Sequence, residues 1–378
     1  MTIDRRGFLR STSLAALAPL ASWLDGSRML EEAQPDPLAD LIVINALGFF
    51  DDLYGTPAAD PSRVMSPEAL ESALASGLTA LNFTVTSGSD FEAAVREVAK
   101  RDAFIRAHPD RLLKVFTTED ILRAKQEGKV GIIHGFQNAA MVGERADRID
   151  LFADLGVRVV QLTYNTRNQI GGGATAPGDP ALTPFGHEVV ERLNARRVIV
   201  DLSHSGRRTC LDAIRASAAP ITISHTGCAA LTPHPRNKTD EELRLVAESG
   251  GFVGIYWMMY LVEGREATTD DVVRHIEHAI DVCGEDHVGI GTDHGLVELG
   301  DIDAVRAYFA GEIRDRAERG IGAPGERADI LPFVHGLQGP DQFRSLHAAL
   351  SRRGHGSGVL EKIFGQNYLR HAREVWGA

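Results

Sequence analysis

Cysteine is scarce: Cys210, Cys228 and Cys283 are the only three in 378 residues. Three cannot all pair within one chain, and no two stand in C-x-x-C spacing. Neither a disulfide framework nor a cysteine metal cluster is expected, and each reads as a small buried apolar residue. Positive charge is also in short supply. Forty Lys and Arg against 52 Asp and Glu leave a formal charge of −12. No basic face is available to meet phosphates, so nucleic acid is excluded as an expected partner. Long apolar runs are missing, which excludes a stable membrane span. The chain holds no internal repeat and no low-complexity tract. No G-x-G-x-x-G follows the first apolar run, which counts against an open dinucleotide-binding sheet.

What is present is ample apolar material, 43% of residues, enough for one large core. The N-terminus reads MTIDRRGFLRSTSLAALAPLASWLDGS. Arg5-Arg6, then Phe8-Leu9, then an apolar run from Leu14 to Leu24 follow the order of a twin-arginine export signal. We assign residues 1–27 to that signal and 28–40 to a linker. The twin-arginine machinery is then a partner, and the periplasm or the exterior the destination. A homodimer stays open.

From residue 41 short apolar runs recur, with amphipathic stretches between them. Strands are expected at Leu41–Ala46, Leu78–Val85, Val130–Ile133, Arg158–Leu162, Val198–Leu202, Ile221–Ser224, Phe252–Tyr256 and Val288–Gly291. Both faces of each run are apolar, as in buried parallel strands. Helical patterns fall at 67–76, 90–107, 141–155, 184–195, 207–217, 240–249 and 270–283. Eight strands alternating with helices predict an α/β fold, a single-domain (β/α)8 TIM barrel over 41–378. Residues 300–335 read as a charged, loop-rich excursion, and 341–375 as two closing helices.

Barrel chemistry sits at the C-terminal ends of strands. Reading those ends gives His134 in VGIIHG, Tyr164 in VVQLTYN, His204 in VIVDLSH, His225 in ITISH and Asp293 in VGIGTD. Three neutral imidazoles with an open fourth position make a hydrolytic zinc site. The bound water would lose its proton near pH 7, and Asp293 could accept that proton and pass it to a leaving amine. A strand-end histidine also serves as a polar cap, and an aspartate as a helix N-cap. His275 and His278, i and i+3 on a helical pattern, read as solvated.

At DLSHSG, ITISHTGCAALTPHPRNKTDEEL, GGFVGI, HVGIGTDHG and GQNYLR the chain resembles the membrane (renal) dipeptidase family of zinc amidohydrolases, over roughly residues 40–375. The resemblance implies a barrel that binds two zinc ions and cleaves dipeptides. It places His204 and His225 as ligands of one metal, Asp293 in proton transfer, and Arg236 on the substrate carboxylate. The planar fork of arginine suits that last task.

The first strand departs from this pattern. LIVINALGFF carries Leu47-Gly48-Phe49 where the family has H-x-D. His134 falls where it has a bridging glutamate, and Tyr164 where it has a histidine that polarises the substrate carbonyl. The expectation is therefore one metal, held by His134, His204 and His225, with Tyr164 as oxyanion donor. Asp51 and Asp52 are candidate replacement ligands. The substrate class is a dipeptide or small amide with a free carboxylate. The alternatives are a family member repurposed for another reaction on a peptide-like metabolite, or a non-catalytic periplasmic binding protein.

Overall fold

The structure, a computed structural model, describes residues 35–50, 66–86 and 90–377. Residues 1–27, read above as an export signal, and Asp51 and Asp52 lie outside the described residues. One compact unit runs from Pro37 to Ala378.

Its strands are β1 (Ile44–Gly48), β2 (Ala80–Thr86), β3 (Leu112–Lys114), β4 (Val130–Phe136), β5 (Val157–Gln161), β6 (Ile199–Asp201), β7 (Thr222–Thr226), β8 (Phe252–Ile255) and β9 (Val288–Ile290). They pair in the order β1-β2-β4-β5-β6-β7-β8-β9, every pair parallel. β3 joins the early part of β4, through Leu112–Val130 to Lys114–Ile132, and β5 takes the later part from His134 on. The ring closes beyond the strand ends. Asp293 N–H donates to Leu47 O (3.0 Å), and Phe49 N–H to His294 O (3.1 Å). Asn45 stitches the same seam: its Nδ2 donates to Thr292 Oγ1 (2.9 Å), and its Oδ1 accepts from Thr292 N–H (2.9 Å). This is the (β/α)8 barrel.

Strand alternation sorts the side chains. Phe83, Ile132, Val200, Ile223 and Val253 face outward into the main core with the helices. Ile44, Ala46, Ala80, Ile133, Val159, Ile199 and Phe252 point to the barrel axis and pack with Tyr368, Leu369 and Trp376 of the helix Asn367–Trp376. That helix closes the floor. Arg370 donates to Gly250 O (3.0 Å) and Asp286 O (3.1 Å), just before β8 and β9, and Trp376 Nε1 to Arg158 O (3.3 Å). A pocket lies at the opposite end.

The helix starts follow local chemistry. Ser66 and Thr183 each accept a hydrogen bond from the backbone three residues on, with proline next in sequence. Proline costs nothing there, where the N–H would be an orphan. Thr239 and Glu242 form a capping box. The structure adds two helices to those expected, Thr118–Gln126 and Ile302–Glu318. The second corrects the loop expected over 300–335. It buries only Val305, so its sequence carries almost no apolar periodicity. His275 is buried, not solvated: its Nδ1 accepts from Cys228 N–H (2.9 Å) and its Nε2 donates to Leu261 O (3.0 Å). All three cysteines are buried free thiols. No helix among the described residues is long and apolar enough to cross a membrane.

Candidate active site

The open end of the barrel holds this pocket. Tyr164, Asn165, His204, Arg236, Asp293 and Arg316 give it a polar wall. Phe49, Met258, Met259, Tyr308, Phe309 and Ile313 give it an apolar one. Tyr308 to Arg316 come from the helix Ile302–Glu318, so the excursion after β9 forms the roof.

The base of the polar wall is built from β6 and β7. Asp201, fully buried at the end of β6, accepts from Ser203 Oγ (2.6 Å) and N–H (3.0 Å), and from Ser224 Oγ (2.5 Å) and N–H (3.1 Å). Burial pushes its pKa up, while these bonds hold it down. A Cβ at Gly291 would collide with Ser224 O, so the close approach of β9 needs glycine there.

Both histidines have assignable tautomers. Ser224 Oγ gives its proton to Asp201, so it accepts from His225 Nδ1 (2.9 Å). Asn165 Nδ2 donates to Ile321 O (2.8 Å), which turns Asn165 Oδ1 toward His204 Nδ1 (2.7 Å). Each ring therefore carries its proton on Nδ1 and a lone pair on Nε2. The rings lie 5.0 Å apart, centroid to centroid. Burial, then the charge of Arg236, pushes both pKa values well below the usual imidazole range, so both are neutral.

Arg236 is 2% exposed. Thr226 Oγ1 holds its carbonyl (3.0 Å), its Nη1 donates to Ser203 O (2.6 Å), and its Nη2 meets His204 Nε2 (3.1 Å). Tyr164 stacks on His204 at 4.1 Å and receives Arg316 Nη1 on its hydroxyl (3.4 Å). Arg316 is paired with Glu326 (2.9 Å), which also accepts from Tyr260 (2.8 Å). Asp293 has φ +53°, a left-handed conformation that few residues other than glycine, asparagine and aspartate adopt. Burial raises its pKa to about 6, against the pull of Arg236 and Arg316. Its Oδ2 lies 4.0 Å from His225 Nε2, which has no hydrogen-bond partner among the described residues.

The structure thus brings His204, His225, Arg236, Asp293 and Tyr164 together. His134 is not with them. On β4 the axis-facing positions are Gly131, Ile133 and Gly135, and His134 shares its face with Ile132 and Phe136. Its Nε2 lies 3.7 Å from Asp102 of the helix Phe91–Ala107, on the outside of the barrel. Burial, then Lys114 and Arg101, lowers its pKa to about 3. A strand-end histidine was expected to face the mouth, but alternation sends this one to the helix layer. Among the described residues no three His, Cys, Asp or Glu side chains group as metal ligands. Leu47 is buried and Phe49 lines the pocket, and neither has a lone pair. The described residues do not complete a zinc site.

Several contributors escaped the sequence reading, among them Asp201 with Ser203 and Ser224, and Asn165, Arg316, Glu326 and Tyr260. Asn165 follows Tyr164 directly, so extending the strand-end reading by one residue would have found it. Arg316, Glu326 and Tyr260 carried no local signal, because the stretch holding the first two read as loop.

Residues 65–316 match the membrane dipeptidase family (peptidase family M19). Dipeptidase tcpJ of Claviceps purpurea is 29% identical over 301 residues, 76% of this chain and 63% of that protein. Dipeptidase verJ of Clonostachys rogersoniana is 27% identical, over 74% of this chain and 64% of its own length. The chain thus spans less than two thirds of these relatives. Among solved structures, an amidohydrolase from Pseudomonas aeruginosa is 34% identical with a TM-score of 0.78, covering 90% of this chain and 98% of that one. A metallopeptidase from Rhodobacter sphaeroides, liganded with a phosphinate mimic of the dipeptide L-Ala-D-Ala, shares the fold at 22% identity and TM-score 0.70 over 89% of this chain and all of its own. With most of the barrel inside the matched span, the chain belongs to the membrane dipeptidase family.

Proposed function

We propose that this protein is a dipeptidase-type hydrolase that cleaves an amide in a small substrate bearing a free carboxylate and a bulky apolar group. One observation carries the reading: two acceptors, Asp293 Oδ2 and His225 Nε2, face each other across 4.0 Å beside a buried guanidinium. A water molecule donating to both fits that span, and it is the nucleophile. Asp293, with its pKa near 6, takes the proton as the water attacks the amide carbon, then passes it to the departing amine. The Tyr164 hydroxyl and the Arg316 guanidinium behind it donate to the developing oxyanion. Arg236 holds the substrate carboxylate. The apolar wall takes the bulky group. The dipeptidase names of the relatives support the reaction class, and the apolar first-strand side favours larger substrates than simple dipeptides.

Arg5-Arg6 and the apolar run behind them support export by the twin-arginine route, with 28–40 as a linker to the barrel. A reporter lacking its own signal, fused behind residues 1–40, should reach the periplasm and lose that ability on Arg5→Lys/Arg6→Lys.

The hydrolase test is a panel of N-acyl amino acids and dipeptides followed by mass spectrometry. Substrates with an aromatic acyl group and free carboxylate should be cleaved, their carboxamides should not, and Gly–Leu should be slow. Fast cleavage of Gly–Leu would overturn the substrate assignment. Tight binding with no turnover across the panel would favour the periplasmic binding-protein alternative.

A further inference from the structure

We infer that this site works without a resident metal ion, and that Arg236 carries at His204 the positive charge a metal would otherwise supply. The argument is one of lone pairs. A histidine with its proton on Nδ1 can ligate only through Nε2. At His204, Asn165 fixes that tautomer (2.7 Å) and Nε2 meets Arg236 Nη2 at 3.1 Å. Arginine has no acceptor atom and keeps its charge, so this contact is an N–H donated into the lone pair. A nitrogen accepting that bond has nothing left for an ion, and the cation attached to it repels a second one.

Arg236 is not a movable rim residue. It is buried, its other terminal nitrogen is held by Ser203 O (2.6 Å), and its own carbonyl is tied to Thr226 Oγ1 (3.0 Å). Freeing His204 for a metal would leave Arg236 Nη2 without its buried partner. Without His204, the two donors that face each other at the mouth are His225 Nε2 and the Asp293 carboxylate, and among the described residues no three His, Cys, Asp or Glu side chains group as metal ligands. Catalytic zinc takes three protein ligands. Across the mouth Phe49 offers none, Leu47 and Ile133 are buried apolar side chains, and His134 lies outside the barrel wall. The inference concerns this donor set alone and holds whatever substrate the pocket takes.

The test uses the full chain purified without chelators. Elemental analysis should find well under about 0.3 mole of divalent metal per mole of chain, where a resident ion approaches one. Cobalt(II), titrated by calorimetry and by its visible absorption, should bind weakly. Arg236→Ala should then tighten cobalt binding by about tenfold or more, because it frees a ligand and removes a repelling charge. Adding His225→Ala should abolish the gain. Circular dichroism checks that each variant folds. About one tightly held metal per wild-type chain would overturn the inference, and so would a folded Arg236→Ala protein that binds cobalt no better than wild type. Should that variant fail to fold, the wild-type metal content decides alone.

Discussion

The mouth of the barrel has two unlike sides. On the side of β6, β7 and β9, a buried carboxylate orders two serines and a histidine, and His204, Arg236 and Asp293 stand over them. On the side of β1 and β4, Phe49 lines the pocket, and Leu47 and Ile133 are buried apolar side chains. The polar groups there serve the backbone: Asn45 closes the β1–β9 seam, and Asn82 Nδ2 donates to Ala46 O (2.7 Å). The barrel depends on outward packing and backbone pairing, which both sides share. It therefore tolerates exchange of the chemistry on one side. Function has to be argued from the side that still presents reactive groups.

The comparison makes Asp293 the residue whose loss should cost most. Asp293→Asn keeps the size and removes the base, so turnover should fall by about 1000-fold. The pH profile supplies a second reading. Burial raises the pKa to about 6, and the base works only when deprotonated. kcat/KM should rise through pH 6 and level off above it. The residual activity of Asp293→Asn should lose that rise. A variant that keeps wild-type turnover would shift the chemistry away from this side of the mouth.

Tyr164→Phe comes next. One oxyanion donor is worth about 100-fold in kcat, and the phenyl ring keeps the stack on His204. A loss confined to KM would make Tyr164 a binding residue instead. Arg236→Ala should weaken carboxylate ligands by about 30-fold or more, as breaking a buried charged hydrogen bond costs about 2–5 kcal/mol. The matching carboxamides should be little affected. Equal losses for both would mean that the buried guanidinium acts only in packing.

How far the sequence foretold the two sides depends on the element. Eight strands were legible because each is a short run of Val, Ile and Leu. β3 was not, being three residues long with a lysine at its end. The roof helix was not, because a helix that buries one residue leaves no apolar stripe to read. His204, His225 and Asp293 were legible as strand-end residues with reactive side chains. The pair Arg316–Glu326 was not, since an ion pair ten residues apart looks like any other charged stretch until the helix folds over the mouth. His134 shows the opposite failure. The residue type and the strand end were right, but the face was wrong, and face depends on where the strand begins and where its register slips. The register between β4 and β5 shifts right after His134.

That error yields the smallest expected effect, and a discriminating one. His134 is fully buried on the outside of the barrel, and neither ring nitrogen has a hydrogen-bond partner among the described residues. Its low pKa means that it folds neutral. The charged form is favoured in the unfolded chain, so its burial costs stability as pH falls below about 6.5, the ordinary histidine value. His134→Leu has similar volume and no unmet polar groups, so it should leave stability unchanged or raise it by about 1 kcal/mol. The gain should be larger at pH 5 than at pH 8. Turnover should stay within about twofold of wild type, as for most substitutions away from the reacting groups. Thermal melts at the two pH values, with kinetics beside them, check both statements. A large drop in turnover with an unchanged melting temperature would put His134 back at the mouth, and the apolar side would then be less inert than its leucine and phenylalanine make it.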